Sequence, residues 1–538
     1  MDGATDARPY KPEHDEITEY YCGLSGPPRL VARTSHERWS RTMLEGSHWG
    51  QCRKYFLALS TGDVISKWTT TLDSALVEVL RGVEWSFFFP IGFGLDYHQV
   101  RDCKPQTVLL VGVHEAIAWE IGLAIALKCR DILEAFGILQ VDVEIMHSVY
   151  VNYGLLQDFD RKFEALECSA QNVNTYLCVL PASKASLGYS LGYAENISIA
   201  GSVGLHLKLG PPNADEQQPT FALTCRHVVA ASSKPEDSVS AASTQKHVIA
   251  GDGAFSTCLE ELRRYSVDLE RAMRPLRKKQ KDWDEMYQYG DDLRKRPTDQ
   301  DLQQLNKWQE LADWNEQITK SLSTLSDKKD RVIGHLAFHP KHELSAKEPG
   351  FLKDWALVQL NEPGGNKVFL GNSTSRKHAL MKSPFKDGML PLRLEDEQDM
   401  EEIHGLAVFK RGAATGLTVG VVNGVEAVIR VYKNTIAREL IVVPDKGRPP
   451  FSQSGDSGSS VFDANGTVIG LLNGITDASP CVWRTGKPHC ECPADDDDAQ
   501  NTHSLPCWKP GTDVTFVTPI SWIMKDVESF TGLEPRLA

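Results

Sequence analysis

A serine on a glycine-rich turn, in the segment 454–460 (Ser-Gly-Asp-Ser-Gly-Ser-Ser), is the residue of this sequence best suited to chemistry. Ser457 stands there between Asp456 and Gly458. A hydroxyl of ordinary pKa attacks a carbonyl poorly, so this serine needs a base, a group that orients the base, and donors for the developing oxyanion. The turn therefore predicts a nucleophile for acyl transfer, provided that other segments supply these groups.

A histidine and an aspartate upstream stand at the ends of apolar segments. The segment 221–229 is predicted to form a strand that ends at His227, and the segment 353–360 places Asp354 at the start of another strand. The chain order is therefore histidine, aspartate, serine. This is the order of the chymotrypsin arrangement, and it differs from the orders in subtilisins and α/β-hydrolases.

At four places the sequence resembles the chymotrypsin-like serine proteases, the trypsin-like group of the PA clan. The matching segments are Leu223-Thr-Cys-Arg-His227, Asp354-Trp-Ala-Leu357, Gly455-Asp-Ser-Gly458 and Val408–Val422, the last of which is similar to the Gly-x-x-Thr-Gly-x-Thr hairpin of bacterial and fungal members. They occur in the family's order over the C-terminal two thirds of the chain. The resemblance implies a mainly β fold with two six-stranded antiparallel β-barrels and one cleft that holds a catalytic triad.

The resemblance also assigns roles to individual residues. Ser457 attacks the scissile carbonyl, His227 takes its proton and returns it to the leaving amine, and Asp354 holds the imidazole tautomer. The backbone N–H groups of Gly455 and Ser457 form the oxyanion hole. Gly455 and Gly458 suit this turn, because aiming two amides at one point requires backbone angles that a side chain would penalise.

The sequence departs from the family's pattern at three points. Arg226 precedes the histidine and Val228 follows it, so the disulfide found near this histidine in secreted digestive members is missing. No Ile-Val-Gly-Gly-like activation site occurs near residues 185–205. We therefore expect Asp456 to bind an internal partner, where zymogen-activated members use a newly cut amino terminus.

Two residues are expected to line the substrate pocket. Counting six residues back from the nucleophile, the resemblance places Phe451 at the floor of the primary specificity pocket. Phe451 is uncharged, so a preference for Lys or Arg is not supported. The segment 468–474 is predicted to be the strand that follows the nucleophile and lines the cleft, which adds Asn473 to the pocket.

Composition favours a folded protein without nucleic-acid or membrane partners. The 538 residues are 41% apolar, and 58 basic against 72 acidic side chains give a net charge of −14, which offers no basic surface for nucleic acid or anionic lipid. The first residues lack the apolar core of a secretory signal, and the most apolar stretch, 108–127, contains His114, Glu115 and Glu120. Because a signal and a membrane span are both absent, we expect an intracellular, cytoplasmic protein.

Cysteine usage predicts reduced thiols with one local exception. The 12 cysteines lack the dense, regular spacing of a disulfide scaffold. One cluster contains enough thiolate and imidazole for a tetrahedral zinc site: Cys481, His489, Cys490, Cys492, His503 and Cys507. Its spacing matches no zinc module, so a disordered or disulfide-tied surface loop is the favoured interpretation. No metal and no cofactor is expected.

The hydrophobic pattern divides the chain into three predicted parts. Residues 1–165 alternate helical and strand patterns and form a small α/β domain of unknown role, with strands near 108–113 and 141–150 around a helix. Residues 185–254 and 331–538 form the double barrel. Residues 255–330 carry apolar stripes at helical spacing and are predicted to be an inserted helical hairpin, a two-stranded coiled coil, that is solvated or docks a protein partner.

The leading hypothesis is a serine endopeptidase that cleaves polypeptide substrates through an acyl-enzyme intermediate and needs no cofactor. Two alternatives stay open: a catalytically silent protease-like scaffold that binds proteins, and an esterase built on the same triad. Taken alone, each motif also has a purely structural explanation without a catalytic role. The glycine-rich segment suits a flexible turn, His227 a packed core residue, and Asp354 a solvated turn residue.

Overall fold

The structure of the protein, a computed structural model, describes most of the chain beyond residue 8. The described ranges are 9–24, 28–39, 53–96, 106–114, 117–151, 187–194, 196–211, 218–230, 234, 236–240, 245–249, 252–287, 297–345, 350–370, 389–395, 403–432, 435–445, 450–477 and 514–538. The cysteine and histidine cluster of residues 481–507 and the expected domain boundary at 165 lie outside them. No helix within these ranges is long and apolar enough to cross a membrane.

The N-terminal part is an α/β layer. Its elements are α1 (His14–Glu19), β1 (Arg29–Arg33), β2 (Arg53–Leu57), α2 (Asp63–Lys67), α3 (Thr70–Leu80), β3 (Trp85–Asp96), β4 (Gln106–Val113), α4 (Trp119–Ala135), β5 (Asp142–His147) and β6 (Val149–Val151). Helix α4 buries Leu123, Ala126, Cys129 and Leu133, whose spacing of three or four residues puts them on one face. It connects the parallel strands β4 and β5, so the predicted strand-helix-strand unit is confirmed.

The first barrel is interrupted by two long helices. Its elements are β7 (Ser190–Tyr193), β8 (Asn196–Ser202), β9 (Leu205–Leu209), β10 (Phe221–Cys225), the short α5 (Arg226–Val229), β11 (Lys246–Ile249), the inserted α6 (Asp252–Tyr287) and α7 (Asp299–Ser323), β12 (Val332–Phe338) and β13 (Trp355–Leu360). A single 3₁₀ turn, Lys328–Arg331, leads from the insertion into β12. His227 therefore precedes the insertion in the chain, and Asp354 follows it.

The second barrel, a separate two-stranded sheet and the chain end follow. Their elements are β14 (Lys367–Phe369), β15 (Met389–Pro391), β16 (Ala407–Gly412), β17 (Gly416–Val422), β18 (Ala427–Tyr432), β19 (Thr435–Pro444), β20 (Ser460–Phe462), β21 (Val468–Asp477), β22 (Thr515–Pro519), α8 (Ile520–Thr531) and β23 (Pro535–Leu537). Helix α8 buries Ile520, Ile523 and Val527, whose spacing of three or four residues puts them on one face. These side chains join the core of the first barrel.

Sheet pairing gives a chymotrypsin-like double barrel. Strands β19, β17, β16, β20, β21 and β22 pair in that order, and β22 pairs back onto β19 to close a six-stranded barrel. The first barrel is an eight-stranded sheet in the order β23, β9, β10, β13, β12, β11, β7, β8, whose end strands do not pair with each other among the described residues. The mainly β fold class predicted from the sequence is confirmed, with the first barrel present as a half-barrel.

The N-terminal layer is continuous with the second barrel. Strand β3 pairs with β18, with Val428 opposite Phe88, and β6 pairs with β21. One hydrophobic cluster accordingly contains Phe87 from β3, Ile441 from β19 and Phe516 from β22. The α/β part therefore shares both main-chain hydrogen bonds and core packing with the barrel that carries Ser457.

Helices α6 and α7 form an antiparallel hairpin. Leu269 and Met273 of α6 pack against Leu305 of α7 midway along it, and the base of the hairpin joins the core of the first barrel. The buried Asn315 amide donates to the Leu262 carbonyl oxygen at 3.0 Å, which fixes the helices near that base. Thr298 begins α7 with a capping box, in which its side chain and that of residue 301 satisfy backbone donors at the helix start.

Candidate active site

The pairing of β10 with β13 brings His227 and Asp354 together. Cys225, the last residue of β10, is opposite Trp355, the first residue of β13. The amide of the next residue, Arg226, donates to the Asp354 carbonyl oxygen at 3.0 Å. The two side chains therefore leave neighbouring strand ends, and His227 Nδ1 lies 2.6 Å from Asp354 Oδ2. The amide of His227 also donates to Asp354 Oδ1, at 3.0 Å.

This contact sets the tautomer of His227. A carboxylate only accepts hydrogen bonds, so the proton of the neutral ring is assigned to Nδ1 and Nε2 is left as an acceptor. The side chains of His227 and Asp354 are only 3% and 1% exposed. His227 Nε2 is buried, and no described residue hydrogen-bonds to it. Buried polar atoms without a partner are rare in folded proteins, which makes this nitrogen a candidate for a functional role.

Ser457 lies at the seam between the two barrels. Its carbonyl oxygen accepts from the amide of Ser202 on β8 at 2.7 Å, and the amide of Gly458 donates to the Leu472 carbonyl oxygen on β21 at 2.8 Å. A Cβ added to Gly458 would lie 2.3 Å from Thr224 Oγ1 on β10. The Ser457 turn is therefore packed against the strand that leads into His227. The hydroxyl makes no hydrogen bond to Nε2 in this structure, and such contacts often shorten only when substrate binds.

Two amides on the turn are free to bind an oxyanion. The N–H groups of Gly455 and Ser457 have no acceptor within the described part of the chain. The amides of Asp456, Gly458 and Ser459 all donate to main-chain carbonyls. Gly455 and Gly458 have φ values of +98° and +89°, in the region that favours glycine. The turn thus leaves two donors unpaired on either side of Asp456, as an oxyanion hole requires.

The Asp456 carboxylate is held by the β16–β17 hairpin. Lys410 Nζ lies 3.0 Å from Asp456 Oδ2, and both side chains are fully buried. Oδ1 accepts from the amides of Ala414 and Thr415 at 2.9 and 3.1 Å. Oδ2 accepts from the Thr415 hydroxyl at 2.7 Å and from the amide of Gln453 at 3.0 Å. The sequence predicted an internal partner for Asp456 without naming it, and the structure identifies Lys410.

A buried thiol adjoins the histidine and the aspartate. Potential metal-ligand atoms of Cys225, His227 and Asp354 lie within 4.8 Å of one another. The Cys225 thiol donates to the Leu472 carbonyl oxygen at 3.1 Å, and burial raises its pKa well above the usual value. A metal ligand must be a thiolate, which this environment disfavours. The three residues therefore fit a metal poorly.

The two predicted pocket residues are both fully buried. The Phe451 ring lies in the core of the second barrel, and the Phe451 carbonyl oxygen accepts from the Thr418 hydroxyl at 2.6 Å. Asn473 Nδ2 donates to Thr518 Oγ1 at 2.8 Å, and that hydroxyl donates to the buried carboxyl group of Glu439 at 2.9 Å. Burial raises the Glu439 pKa to about 8. Contact of Phe451 or Asn473 with substrate stays a prediction.

A strand of the N-terminal part covers the edge of β21. Strand β6 pairs with it antiparallel, with Val151 opposite Ile475 and Val149 opposite Asp477. Val149, Val151 and Ile475 form a small buried apolar cluster. The strand that follows the nucleophile is thus paired with the chain's own residues. Sequence reasoning assigned no role to this part of the chain, because three apolar residues do not indicate which edge they will join.

Comparison with known families decides the assignment of the chain. The model of peptidase family S64 matches residues 165–474, more than half of the 538 residues. The chain belongs to peptidase family S64. The matched range contains His227, Asp354 and Ser457, and membership places the chain among the serine proteases. No curated protein matches the sequence.

Solved structures with similarity to this S64 member are also serine proteases. Thermobifida fusca Protease A is 12% identical, with 66% of this chain and 98% of that chain covered and a TM-score of 0.27. A glutamic acid specific serine protease is 10% identical, with coverages of 64% and 97% and a TM-score of 0.28. Cellulomonas bogoriensis chymotrypsin is 16% identical, with coverages of 38% and 76% and a TM-score of 0.21. The strand pairings given above establish the fold independently of these structures.

Proposed function

We propose that this S64 member is a serine endopeptidase in which Ser457, His227 and Asp354 form a catalytic triad. The observation that carries the proposal is the His227 ring. Its Nδ1 is bound by Asp354, and its Nε2 is buried without a partner beside the strand end on which the Ser457 turn packs. A nucleophile, a base and a group that orients the base are the parts that acyl transfer by a hydroxyl requires.

The proposed reaction has two halves. His227 Nε2 accepts the proton of Ser457 as the hydroxyl oxygen bonds to the scissile carbonyl carbon, and the resulting oxyanion accepts from the amides of Gly455 and Ser457. The imidazolium then gives its proton to the leaving amine as the C–N bond breaks. Water, deprotonated by the same ring, then bonds to the acyl carbon. The ester bond to Ser457 Oγ breaks as the imidazolium returns its proton to that oxygen, which releases the acid. Asp354 stabilises the imidazolium in both halves without taking up its proton.

Labelling by a fluorophosphonate tests the nucleophile. We expect the folded wild-type chain to be labelled and Ser457→Ala not to be, because the reagent bonds only to an activated serine. Ser454→Ala is the matched control, since Ser454 lies on the same turn and is more exposed than Ser457. Loss of the label in both variants, or its persistence in Ser457→Ala, would contradict the assignment. A folded wild type without label would favour the silent scaffold, and cleavage of small esters without peptides would favour the esterase.

Polypeptide chains are the proposed substrates. We expect an extended substrate to compete with β6 for the edge of β21. Extended peptides add to exposed sheet edges through main-chain hydrogen bonds. Because β6 already occupies the edge of β21, weakening it should raise kcat/KM for an extended peptide. In Val149→Asp/Val151→Asp, two carboxylates would enter the apolar cluster with Ile475. We expect a rise of about tenfold, equivalent to about 1.4 kcal/mol.

The matched control for β6 keeps its side chains apolar. Val149→Ile/Val151→Ile should preserve the cluster and leave kcat/KM within about threefold of the wild type, since volume changes of one methylene are tolerated better than buried charge. Fluorophosphonate labelling of Ser457 should proceed in both double variants. An aspartate variant that is labelled normally but cleaves the peptide no faster than the wild type would show that β6 does not compete with substrate.

A further inference from the structure

A second histidine lies beside Asp354. His342 Nε2 is 4.0 Å from Asp354 Oδ1, and the two side chains are only 3% and 1% exposed. The amide of Lys353 donates to the Glu343 carbonyl oxygen at 2.9 Å. His342 and Asp354 are the chain neighbours of these two residues, so this main-chain hydrogen bond brings their side chains next to each other. The two oxygens of Asp354 therefore face different imidazole rings, Oδ2 that of His227 and Oδ1 that of His342.

Arg226 fixes the turn that carries His342. Its Nε donates to the Pro340 carbonyl oxygen at 3.1 Å and to His339 Nδ1 at 3.3 Å. Arg226 is buried, and it directly precedes His227 in the chain. The side chain that departs from the family's pattern at this position thus connects the segment of the proposed base to the turn that faces the proposed orienting carboxylate.

The ionisable side chains next to His342 come from three segments. They belong to helix α5, to the turn itself and to the residues before β13, and are Arg226, His227, His339, Glu343, Lys353 and Asp354. Glu343 and Lys353 pair with each other at 3.3 Å. Burial lowers the pKa of His342 to about 4, although the Asp354 carboxylate acts in the opposite direction. The two basic side chains of α5 add to the lowering. At neutral pH the His342 ring therefore carries one N–H and no charge.

The proton of this neutral ring is assigned to Nε2, because a nitrogen lone pair facing a carboxylate would be repelled. At 4.0 Å the contact is electrostatic and is too long for a hydrogen bond. A carboxylate that is buried from water has to be stabilised by the dipoles and charges around it. A neutral N–H stabilises Asp354 without adding a second cation, which would repel the imidazolium that forms on His227.

We propose that His342 is a positioning residue for the reaction, which turns an N–H towards Asp354 and so limits how strongly this carboxylate holds the imidazolium form of His227. The positive end of the N–H dipole offsets part of the negative charge of Asp354. Without it the imidazolium would be the more favoured state of the base, and less of the protein would carry the free Nε2 that Ser457 needs. This inference rests on the proposed function, because the charge state of His227 matters only if His227 takes the proton of Ser457.

The pH dependence of fluorophosphonate labelling tests the inference without a known peptide substrate. The rate constant for labelling Ser457 should rise with pH as His227 loses its proton, and the midpoint of this rise is measured between about pH 5 and pH 9. His342→Leu removes the N–H, so the midpoint should move up by about one pH unit. The rate constant should then fall about tenfold at acid pH, below both midpoints, and match the wild type at alkaline pH.

Two further variants separate this electrostatic role from packing. His342→Gln keeps a side-chain N–H that can face Asp354, so its midpoint should lie within about 0.3 unit of the wild type. His247→Leu is the matched control, because it removes another buried histidine of the first barrel whose pKa burial also lowers to about 4. We expect it to leave the midpoint unchanged, since the charged group that acts on His247 is His335 and not Asp354.

An unchanged midpoint in folded His342→Leu, or a rate constant lowered by the same factor at every pH, overturns the inference. His342→Phe keeps a ring without the N–H and replaces His342→Leu if the latter does not fold. If neither apolar variant folds, His342→Gln decides, and a midpoint displaced by about half a unit or more contradicts a role that an amide N–H can fill. If none of the three folds, His342 serves the core and the inference is overturned. A folded wild type that is not labelled at any pH refutes the proposed function instead.

Discussion

Asp354→Asn should lower kcat for a peptide substrate about ten-thousandfold while the protein stays folded. The Asp354 carboxylate now accepts at 2.6 Å from His227 Nδ1, which leaves the lone pair of Nε2 for the proton of Ser457. An asparagine amide would donate to Nδ1 and favour the tautomer with the proton on Nε2. That tautomer cannot act as a base towards Ser457, so the loss appears in kcat rather than in substrate binding.

Asp526→Asn is the matched control for this substitution. Asp526 Oδ2 accepts from Trp355 Nε1 at 2.7 Å, one residue along the chain from Asp354, but Asp526 does not contact His227. An asparagine oxygen can accept the same bond, so we expect kcat within about threefold of the wild type. Steady-state kinetics with one peptide substrate, and circular dichroism to verify folding, provide the comparison. An Asp354→Asn enzyme that keeps more than about a hundredth of the activity would contradict the assigned role of Asp354.

The parts of the site that sequence predicted are those encoded in short segments. His227 and Asp354 each adjoin an apolar strand, and the residues of β10 and most of β13 are buried, as their composition indicates. Strand pairing then brings the two side chains together without any further information. The glycines around Ser457 likewise mark a turn with positive φ directly in the sequence. Local pattern was sufficient here because each strand or turn carries its functional residue at its end.

The partner of Asp456 could not be predicted, because its contact with Lys410 joins distant segments of the chain. A lysine in a strand normally points to solvent, and its partner Asp456 comes 46 residues later in the chain. The hairpin motif around Lys410 indicated a fold, but only the packing of that hairpin on the Ser457 turn buries the lysine. The signal available in the sequence was Asp456 itself. No activation site near residues 185–205 supplies the amino-terminal partner that this aspartate has in zymogen-activated members, so an internal partner was expected.

The pairing of the N-terminal part with the second barrel could not be predicted for the same reason, because it also joins distant segments of the chain. Strands β3 and β18 are separated by more than 300 residues, and their pairing follows from free edges rather than from local pattern. The sequence predicted α3, β4, α4 and β5 of this part, missed α1, β1, β2, α2 and β3, and left its attachment open. Phe451 was placed at the pocket floor by counting along a motif. Its ring lies in the core of the second barrel, and its contact with substrate stays a prediction.

Gly458→Ala should both destabilise the protein and abolish turnover, because this glycine is where the two barrels meet at the nucleophile. A Cβ at residue 458 would lie 2.3 Å from Thr224 Oγ1 and 2.4 Å from the Ser202 carbonyl oxygen. The second of these is backbone and cannot rotate away. The φ of +89° adds the strain of a side chain in the left-handed region. From the steric overlap and the backbone strain together, we expect a loss of about 3 kcal/mol or more in the free energy of unfolding.

Gly82→Ala is the control that separates this packing effect from the general cost of replacing a glycine. No atom lies within 4 Å of a Cβ built at Gly82, and its φ is not positive, so its urea midpoint should stay near that of the wild type. Denaturation in urea gives the stability change, and fluorophosphonate labelling in the absence of urea gives the state of Ser457. If Gly458→Ala keeps the wild-type midpoint and is labelled at the wild-type rate, the barrels do not meet tightly at this turn. The position of Ser457 relative to His227 would then have to be set by contacts other than that of Gly458 with Thr224, which lies on the strand leading into His227.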